Sequence, residues 1–360
     1  MVNYFNVMNI YSVIGIMSGS SCDGLDLAYC SFYKTKNWNY KIIHVQTYQY
    51  SNEMIEGLKN AHNLNSIDFL TFHKSYGKYI AQKINNFLIE NRLPSPDLIS
   101  SHGHTIFHQP EKNFNFQVGD GNIIAAETGI TTIFDFRTLD IALGGQGAPL
   151  VPFGDKLLFG QFDYCLNLGG FANISYNENE KRIAYDICCV NIISNFLVQK
   201  LNFDYDKDGE LGRKGIINEN LLSELNNIDF YSQKPPKSLG REWFTKIFLP
   251  ITQKYDISTE DKLRTIYEHI AIQISNILPK KQKTSVFVTG GGAYNKFLIE
   301  LLKQKTPHEI IIPSSEFVEY KEALIFGFLG VLRFINEINC LASVTGAKSD
   351  SSCGSIVLVK

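Results

Sequence analysis

The run Val13-Ile14-Gly15-Ile16-Met17 is short, apolar and rich in β-branched residues, the pattern of a buried strand. Ser18 to Gly24 is a turn crowded with Gly, Ser and Asp, and Leu25 to Phe32 resumes a strand-like pattern, so the spacing predicts a β-hairpin. A third strand is expected at Tyr40 to Tyr48, then a polar helical stretch, a long helix over Ile67 to Glu90 and a strand at Asp97 to Ser101. Antiparallel strands followed by helix-strand alternation make an α/β domain.

The pattern then recurs. Asp163 to Leu168 reads as a strand closing on Gly169-Gly170, Ile174 to Tyr176 resumes, and Arg182 to Asp186 is a strand before a helix near Asn191 to Leu201. A late strand, Ser285 to Thr289, ends in Gly290-Gly291-Gly292 and leads into an amphipathic helix. Gly144-Gly145-Gln146-Gly147-Ala148-Pro149 reads as a flexible or tightly turning connection, which places the domain boundary near residue 140. The expected domains are 1–140 and 141–360, with the C-terminal end of the chain packing back on the first.

A chain of 360 residues is long enough for two such domains, each with a core of its own. With 34 Lys+Arg against 36 Asp+Glu there is no extended basic surface to announce a nucleic-acid or anionic-membrane partner, so a small-molecule substrate fits better. The first twenty residues hold no basic leader and no apolar run able to span a bilayer, so a cytoplasmic location is expected. Seven cysteines without metal-type spacing are expected as reduced thiols.

The turn Gly19-Ser20-Ser21-Cys22-Asp23-Gly24-Leu25-Asp26 has the chemistry of a polyphosphate loop. Glycines permit close approach, hydroxyls and backbone N–H groups donate to phosphate oxygens, and a carboxylate such as Asp23 can hold hydrated Mg²⁺. A surface hairpin turn would carry the same residue types. No Gly-Lys-Ser/Thr follows a glycine-rich loop, and Gly290-Gly291-Gly292-Ala293-Tyr294-Asn295 fails the dinucleotide-fold spacing, which counts against those two nucleotide folds.

Gly15 to Asp26, Ser101-His102-Gly103-His104-Thr105, Gln117-Val118-Gly119-Asp120, Asp135-Phe136-Arg137 and Gly144 to Pro152 together resemble the anhydro-N-acetylmuramic acid kinases. So do Asn167 to Ile174, Tyr205-Asp206-Lys207-Asp208-Gly209, Pro235 to Glu242, Gly290 to Ala293 and Ser343 to Ala347, all in the family's order. The resemblance implies a two-domain actin-like ATPase (ribonuclease H-like) fold with a central cleft, and ATP with Mg²⁺ as cofactors. It implies Gly19 to Asp26 as the first phosphate loop, Gly169 and Gly170 at the second, and Gly290, Gly291 and Gly292 facing the adenosine. A homodimer is a further family expectation.

The implied reaction opens the 1,6-anhydro bridge of an amino sugar with water and phosphorylates the released oxygen, giving N-acetylmuramic acid 6-phosphate in cell-wall (peptidoglycan) recycling. Asp186, at the end of its predicted strand, matches the catalytic aspartate, a general base for the water. His102, Thr105, Arg137 and Glu322 are implied to face the sugar, and the planar fork of Arg137 suits a carboxylate. Three have a plainer alternative: Asp186 as a helix cap, Arg137 paired with Asp135 or Asp140, Glu322 as a solvated helix residue. The chain departs from the family's Thr-Gly-Pro-Gly-Asn after the aspartate, reading Ile187-Cys188-Cys189-Val190-Asn191, and has His104 where the family has Gln.

Two rival readings remain. His102, His104 and His108 have the spacing of a strand-borne zinc site in a hydrolase. The altered segment after Asp186 also allows a non-catalytic sensor that binds nucleotide or sugar without turnover.

Overall fold

The computed structural model describes residues 9–19, 22–179, 181–279 and 283–359. The chain divides into two compact units, residues 1–158 with 320–360, and residues 159–319.

In the first unit, β1 (Ile10–Ser18), β2 (Leu25–Lys34) and β3 (Trp38–Tyr48) pair antiparallel in succession, as the hairpin pattern predicts. β4 (Leu98–Ser101) then adds parallel to β1. β5 (His104–Gln109) and β6 (Phe114–Val118) form a separate hairpin, and β7 (Thr132–Phe134) runs parallel to β4. The helix Ser66–Glu90 buries Tyr76, Ile80, Ile84 and Phe87 at the spacing of one helical face, and these pack on Ile14, Ile16, Leu27 and Ile99 of the sheet. On the other face, Gly15 is a point of close approach: a Cβ there would overlap the Ala323 carbonyl of the helix Ser315–Phe334.

The second unit repeats the plan. β8 (Tyr164–Leu168), β9 (Phe171–Glu178) and β10 (Lys181–Cys189) are antiparallel neighbours, and β11 (Ser285–Thr289) and β12 (Glu309–Ile311) add parallel on the β8 side. The helix Thr259–Ile277 covers this sheet with Leu263, Ile266, Ile270 and Ile274. Both sheets therefore share one order, third strand, second, first, fourth, fifth. In the first unit β13 (Ser355–Val357) extends the edge, antiparallel to β7. Two such sheets in one chain are the duplicated ribonuclease H-like plan of the actin-like class.

Three expectations are corrected. The first unit, to which the chain returns from Tyr320 onward, reaches Leu158 rather than residue 140. The glycine-rich segment is not a linker, because the buried Asp140 holds it: the Asp140 carbonyl accepts from Gly145 N–H at 2.8 Å, its Oδ2 accepts from Gly147 N–H at 2.8 Å, and Gln146 N–H donates to Thr345 at 2.9 Å. The strand holding Asp186 runs on to Cys189, with a bulge between Asp186 and Cys188. Ile187, Cys188 and Cys189 are apolar and buried, so nothing local ends the strand where a glycine-bearing loop would.

Candidate functional site

In the first unit, β1 and β2 are joined by the predicted Gly/Ser/Asp turn. Cys22 sits in the left-handed region at φ 57° and donates its N–H to the Gly19 carbonyl at 3.1 Å. Cys22 and Leu25 turn their side chains into the core, Gly24 packs against the Thr47 methyl, and Asp26 accepts the Thr47 hydroxyl at 2.6 Å. Asp23 is exposed, the position a hydrated cation needs. Ser20 and Ser21 lie outside the described residues.

Behind this turn is a buried polar relay. Ser18 Oγ lies 2.8 Å from Tyr50 Oη and 2.8 Å from His104 Nδ1, and Tyr50 meets Tyr76 at 2.6 Å. Burial pushes the His104 ring down to about 4, so it is neutral and acts as a hydrogen-bonding wedge rather than a charge.

Two of the candidate sugar residues lie near Arg137, His102 by hydrogen bond and Glu322 by charge. Its Nε and Nη2 both donate to His102 Nε2, at 3.1 and 2.8 Å, and Nη1 donates to the Gly147 carbonyl at 2.5 Å. His102 is thereby fixed as the neutral tautomer protonated on Nδ1, which donates to the Gly103 carbonyl at 2.9 Å. Burial, with the guanidinium beside it, holds this ring well below its usual range. The surface pairing of Arg137 with Asp135 or Asp140 does not form. Its side edge is instead committed to His102, leaving one N–H on each terminal nitrogen. Thr105 Oγ1 accepts from Gln117 at 3.4 Å on the β5–β6 hairpin. Glu322 reaches solvent, yet surrounding protein desolvates its carboxyl and raises its proton affinity, opposed by Arg137 and Lys321.

The residue that sequence reasoning missed is Asp140. Its Oδ1 accepts from Thr345 Oγ1 at 2.7 Å and Cys340 Sγ at 3.1 Å, while Oδ2 accepts from Gly147, so it fixes the carbonyl that orients Arg137. The signal was present in the motifs Gly144 to Pro152 and Ser343 to Ala347, but nothing local pairs them. The zinc arrangement fails on ring geometry. The Nε2 lone pair of His102 is taken by Arg137, His108 is exposed, and among the described residues no group of three or more His, Cys, Asp or Glu is placed to hold a metal ion.

In the second unit, the Gly169-Gly170 turn, the start of the helix Asn191–Gln199 and the Gly290–Gly292 turn meet at the ends of β8, β10 and β11. Val190 and Ile192 donate to the Gly170 carbonyl at 2.9 and 3.2 Å, and Asn191 donates to Gly169 at 3.2 Å. Gly290, at φ 83°, must be glycine, since a Cβ would stand 2.6 Å from Asn167 Oδ1 and 2.8 Å from Leu168. Gly170 is different: a Cβ there meets only Ile192, at 3.9 Å, so packing does not demand glycine. Its missing side chain leaves room for something outside the fold.

Asp186 lies half-buried on β10. The Leu239 N–H donates to Oδ2 at 2.7 Å and the Asp186 N–H donates to the Lys237 carbonyl at 3.1 Å, so the segment Pro235 to Gly240 is laid along the strand. Burial raises its proton affinity and the Leu239 N–H opposes this. Oδ1 has no partner among the described residues. The capping alternative is not formed: Val190 occupies the cap of the helix Asn191–Gln199, which has no side-chain cap bond. A carboxylate held by one oxygen, with the other unpaired and its affinity raised, can take a proton from water.

Residues 11–359 match the family described as anhydro-N-acetylmuramic acid kinase. Curated relatives carrying that name include one from Mannheimia succiniciproducens, 37% identical over 95% of this chain and 98% of its own. One from Sulfurimonas denitrificans is 34% identical over the same shares, 95% and 98%. The solved Acidaminococcus fermentans (R)-2-hydroxyglutaryl-CoA dehydratase component A aligns at TM-score 0.42 and 14% identity over 87% of this chain and 95% of its own. The fold assignment rests on the strand order, not on that likeness. With the match spanning both units and the motifs in order, the chain belongs to the anhydro-N-acetylmuramic acid kinase family.

Proposed function

We propose that the protein converts 1,6-anhydro-N-acetylmuramic acid, water and ATP into N-acetylmuramic acid 6-phosphate and ADP, a step of cell-wall recycling. Membership of the family over residues 11–359 supports the overall reaction. The observation that carries the mechanism is Asp186: buried enough to raise its affinity, held at Oδ2 by Leu239, and free at Oδ1.

Asp186 accepts a proton as water attacks the anomeric carbon, an effect commonly worth about 10²–10⁴ in rate. The bond from that carbon to the bridging oxygen breaks, the released 6-oxygen attacks the γ-phosphorus, and ADP departs. Arg137, braced by His102 and the Gly147 carbonyl, offers its remaining terminal N–H groups to the lactyl carboxylate, with Thr105 and Glu322 on ring and hydroxyl oxygens. The turns at Gly19–Asp26 and Gly169-Gly170 receive phosphate and Gly290–Gly292 the adenosine. Mg²⁺ fits the exposed Asp23 because this cation keeps most of its waters and needs few protein ligands, and when bound it would neutralise charge on the transferring phosphoryl oxygens.

A homodimer in the cytoplasm is the expected form, and sedimentation velocity tests the assembly. No helix among the described residues is long and apolar enough to cross a membrane. Mass analysis of products formed in heavy-oxygen water tests the chemistry. Label at the anomeric hydroxyl of a 6-phosphorylated sugar is expected, whereas ATP and sugar binding without turnover would favour a sensor.

A further inference from the structure

The second unit contains a cavity of about 390 Å³ whose wall includes Ile187, Asn226, Tyr231, Lys237, Gln273 and Asn276. That volume is within the roughly 300–1,000 Å³ usual for small-molecule sites. Its polar atoms are oriented by a buried relay. Asn226 Oδ1 accepts from Gln273 Nε2 at 2.9 Å, so the contact of 2.7 Å with His269 Nδ1 requires that ring nitrogen to be the donor. His269 Nε2 is then the acceptor for Tyr231 Oη at 3.0 Å. Asn226 is thereby fixed with its Nδ2 amide unspent among the described residues, and burial drives His269 down to about 3, which keeps the relay neutral.

Lys237 is the one charged side chain on the cavity wall among the described residues. Its Nζ donates to the Phe230 carbonyl at 3.0 Å and stands 4.6 Å from the Phe230 ring centroid, with no ion-pair partner among the described residues. A partly buried ammonium without a counter-ion is costly, and an anion supplied from outside would compensate it. The same residue reaches the candidate base: its carbonyl accepts the Asp186 N–H, and two residues on Leu239 binds the Asp186 carboxylate. Ile187, next to Asp186, is part of the cavity wall.

We infer that this cavity is a ligand site for a small, sugar-sized polar molecule bearing one oxyanion, anchored on Lys237 and Asn226, and that its occupancy acts on Asp186 through the Lys237–Leu239 segment. The second half rests on the catalytic reading of Asp186; the first does not. The oxyanion is a phosphate or a carboxylate, the chemistry a charged ammonium beside an amide donor recognises.

Isothermal titration calorimetry of the full chain, with saturating ADP to occupy nucleotide-binding loops, tests the site with glucose 6-phosphate, glucuronate and glucose as probes. Binding of an anionic probe but not of glucose is expected, glucose 6-phosphate alone marking a phosphate ligand and glucuronate alone a carboxylate. Lys237→Met should weaken it about tenfold or more, the loss of one charge-assisted hydrogen bond. Asn226→Asp, which keeps the oxygen that His269 and Gln273 bind but replaces the amide donor, should also weaken it and serves if Lys237→Met fails to fold. Equal binding by folded variants, equal binding of glucose, or no heat from either anion overturns the site. The bound probe should also change kcat at saturating substrates, and an unchanged kcat overturns the coupling. Full turnover in Asp186→Asn would remove the catalytic reading while leaving the binding result intact.

Discussion

Replacing Asp140 by Ala tests the claim that one buried carboxylate organises the surroundings of Arg137 in the first unit. Asp140 is fully buried and receives the Gly147 N–H, the Thr345 hydroxyl and the Cys340 thiol. The thiol is a weak donor. The other two, left desolvated and unpaired, cost about 1–3 kcal/mol each, so the variant should lose about 2–6 kcal/mol. For a unit of this size each kcal/mol moves Tm by about 2–4 °C, which puts the central expectation near 8–16 °C. Differential scanning calorimetry measures it, with separate transitions fitted if the two units melt independently. Thr345→Val removes a single donor and should cost only a fraction of this.

The functional consequence follows the same bonds. Gly147 carries both the N–H that Asp140 holds and the carbonyl that receives Arg137 Nη1, so loosening it lets the guanidinium drift. In Asp140→Asn, which keeps the size of the side chain, KM for the sugar should rise more than kcat falls. A fall in Tm below about 3 °C for Asp140→Ala, or a cost for Thr345→Val equal to that of Asp140→Ala, would refute the assignment.

Asp186→Asn should lower kcat by about 10²–10⁴ while leaving KM for ATP little changed, as coupled ADP release would report. Because burial raises the affinity of Asp186 for its proton and the base works deprotonated, the acid limb of the kcat–pH profile should fall at higher pH than an ordinary aspartate would give. A limb at the ordinary aspartate position would contradict this. Gly290→Ala, forced against Asn167 and Leu168 at positive φ, should destabilise by about 1–3 kcal/mol in denaturant melts. Gly170→Ala, with open space above it, should fold normally and raise KM for ATP.

Much of the fold was legible because its elements announce themselves locally. The hairpin of β1 and β2 has a strand pattern on each side of a Gly/Ser/Asp turn, β11 falls on its predicted bounds, and the long helix begins at Ser66 beside the predicted Ile67. What the sequence hid depends on partners far along the chain. Gly144 to Pro149 has linker composition, yet Asp140 and Thr345 turn it into a fixed loop, so the expected boundary fell too early. Arg137 looked ready for a carboxylate, and only the fold shows that His102 occupies the side edge of its fork. The role of Leu239 as an N–H donor to Asp186 is a backbone property that no residue type encodes.

β13 sets an order of events during synthesis. The edge of the first sheet is completed by Ser355–Val357, whereas every strand of the second sheet lies between Tyr164 and Ile311. The helix that packs on Gly15 also arrives late, at Ser315–Phe334. A nascent chain leaving the ribosome can therefore finish its second sheet first, while the first sheet waits with an open edge and an uncovered face until Ser315–Phe334 and Ser355–Val357 emerge. Truncation near the C-terminus should consequently damage the part of the protein that was made first.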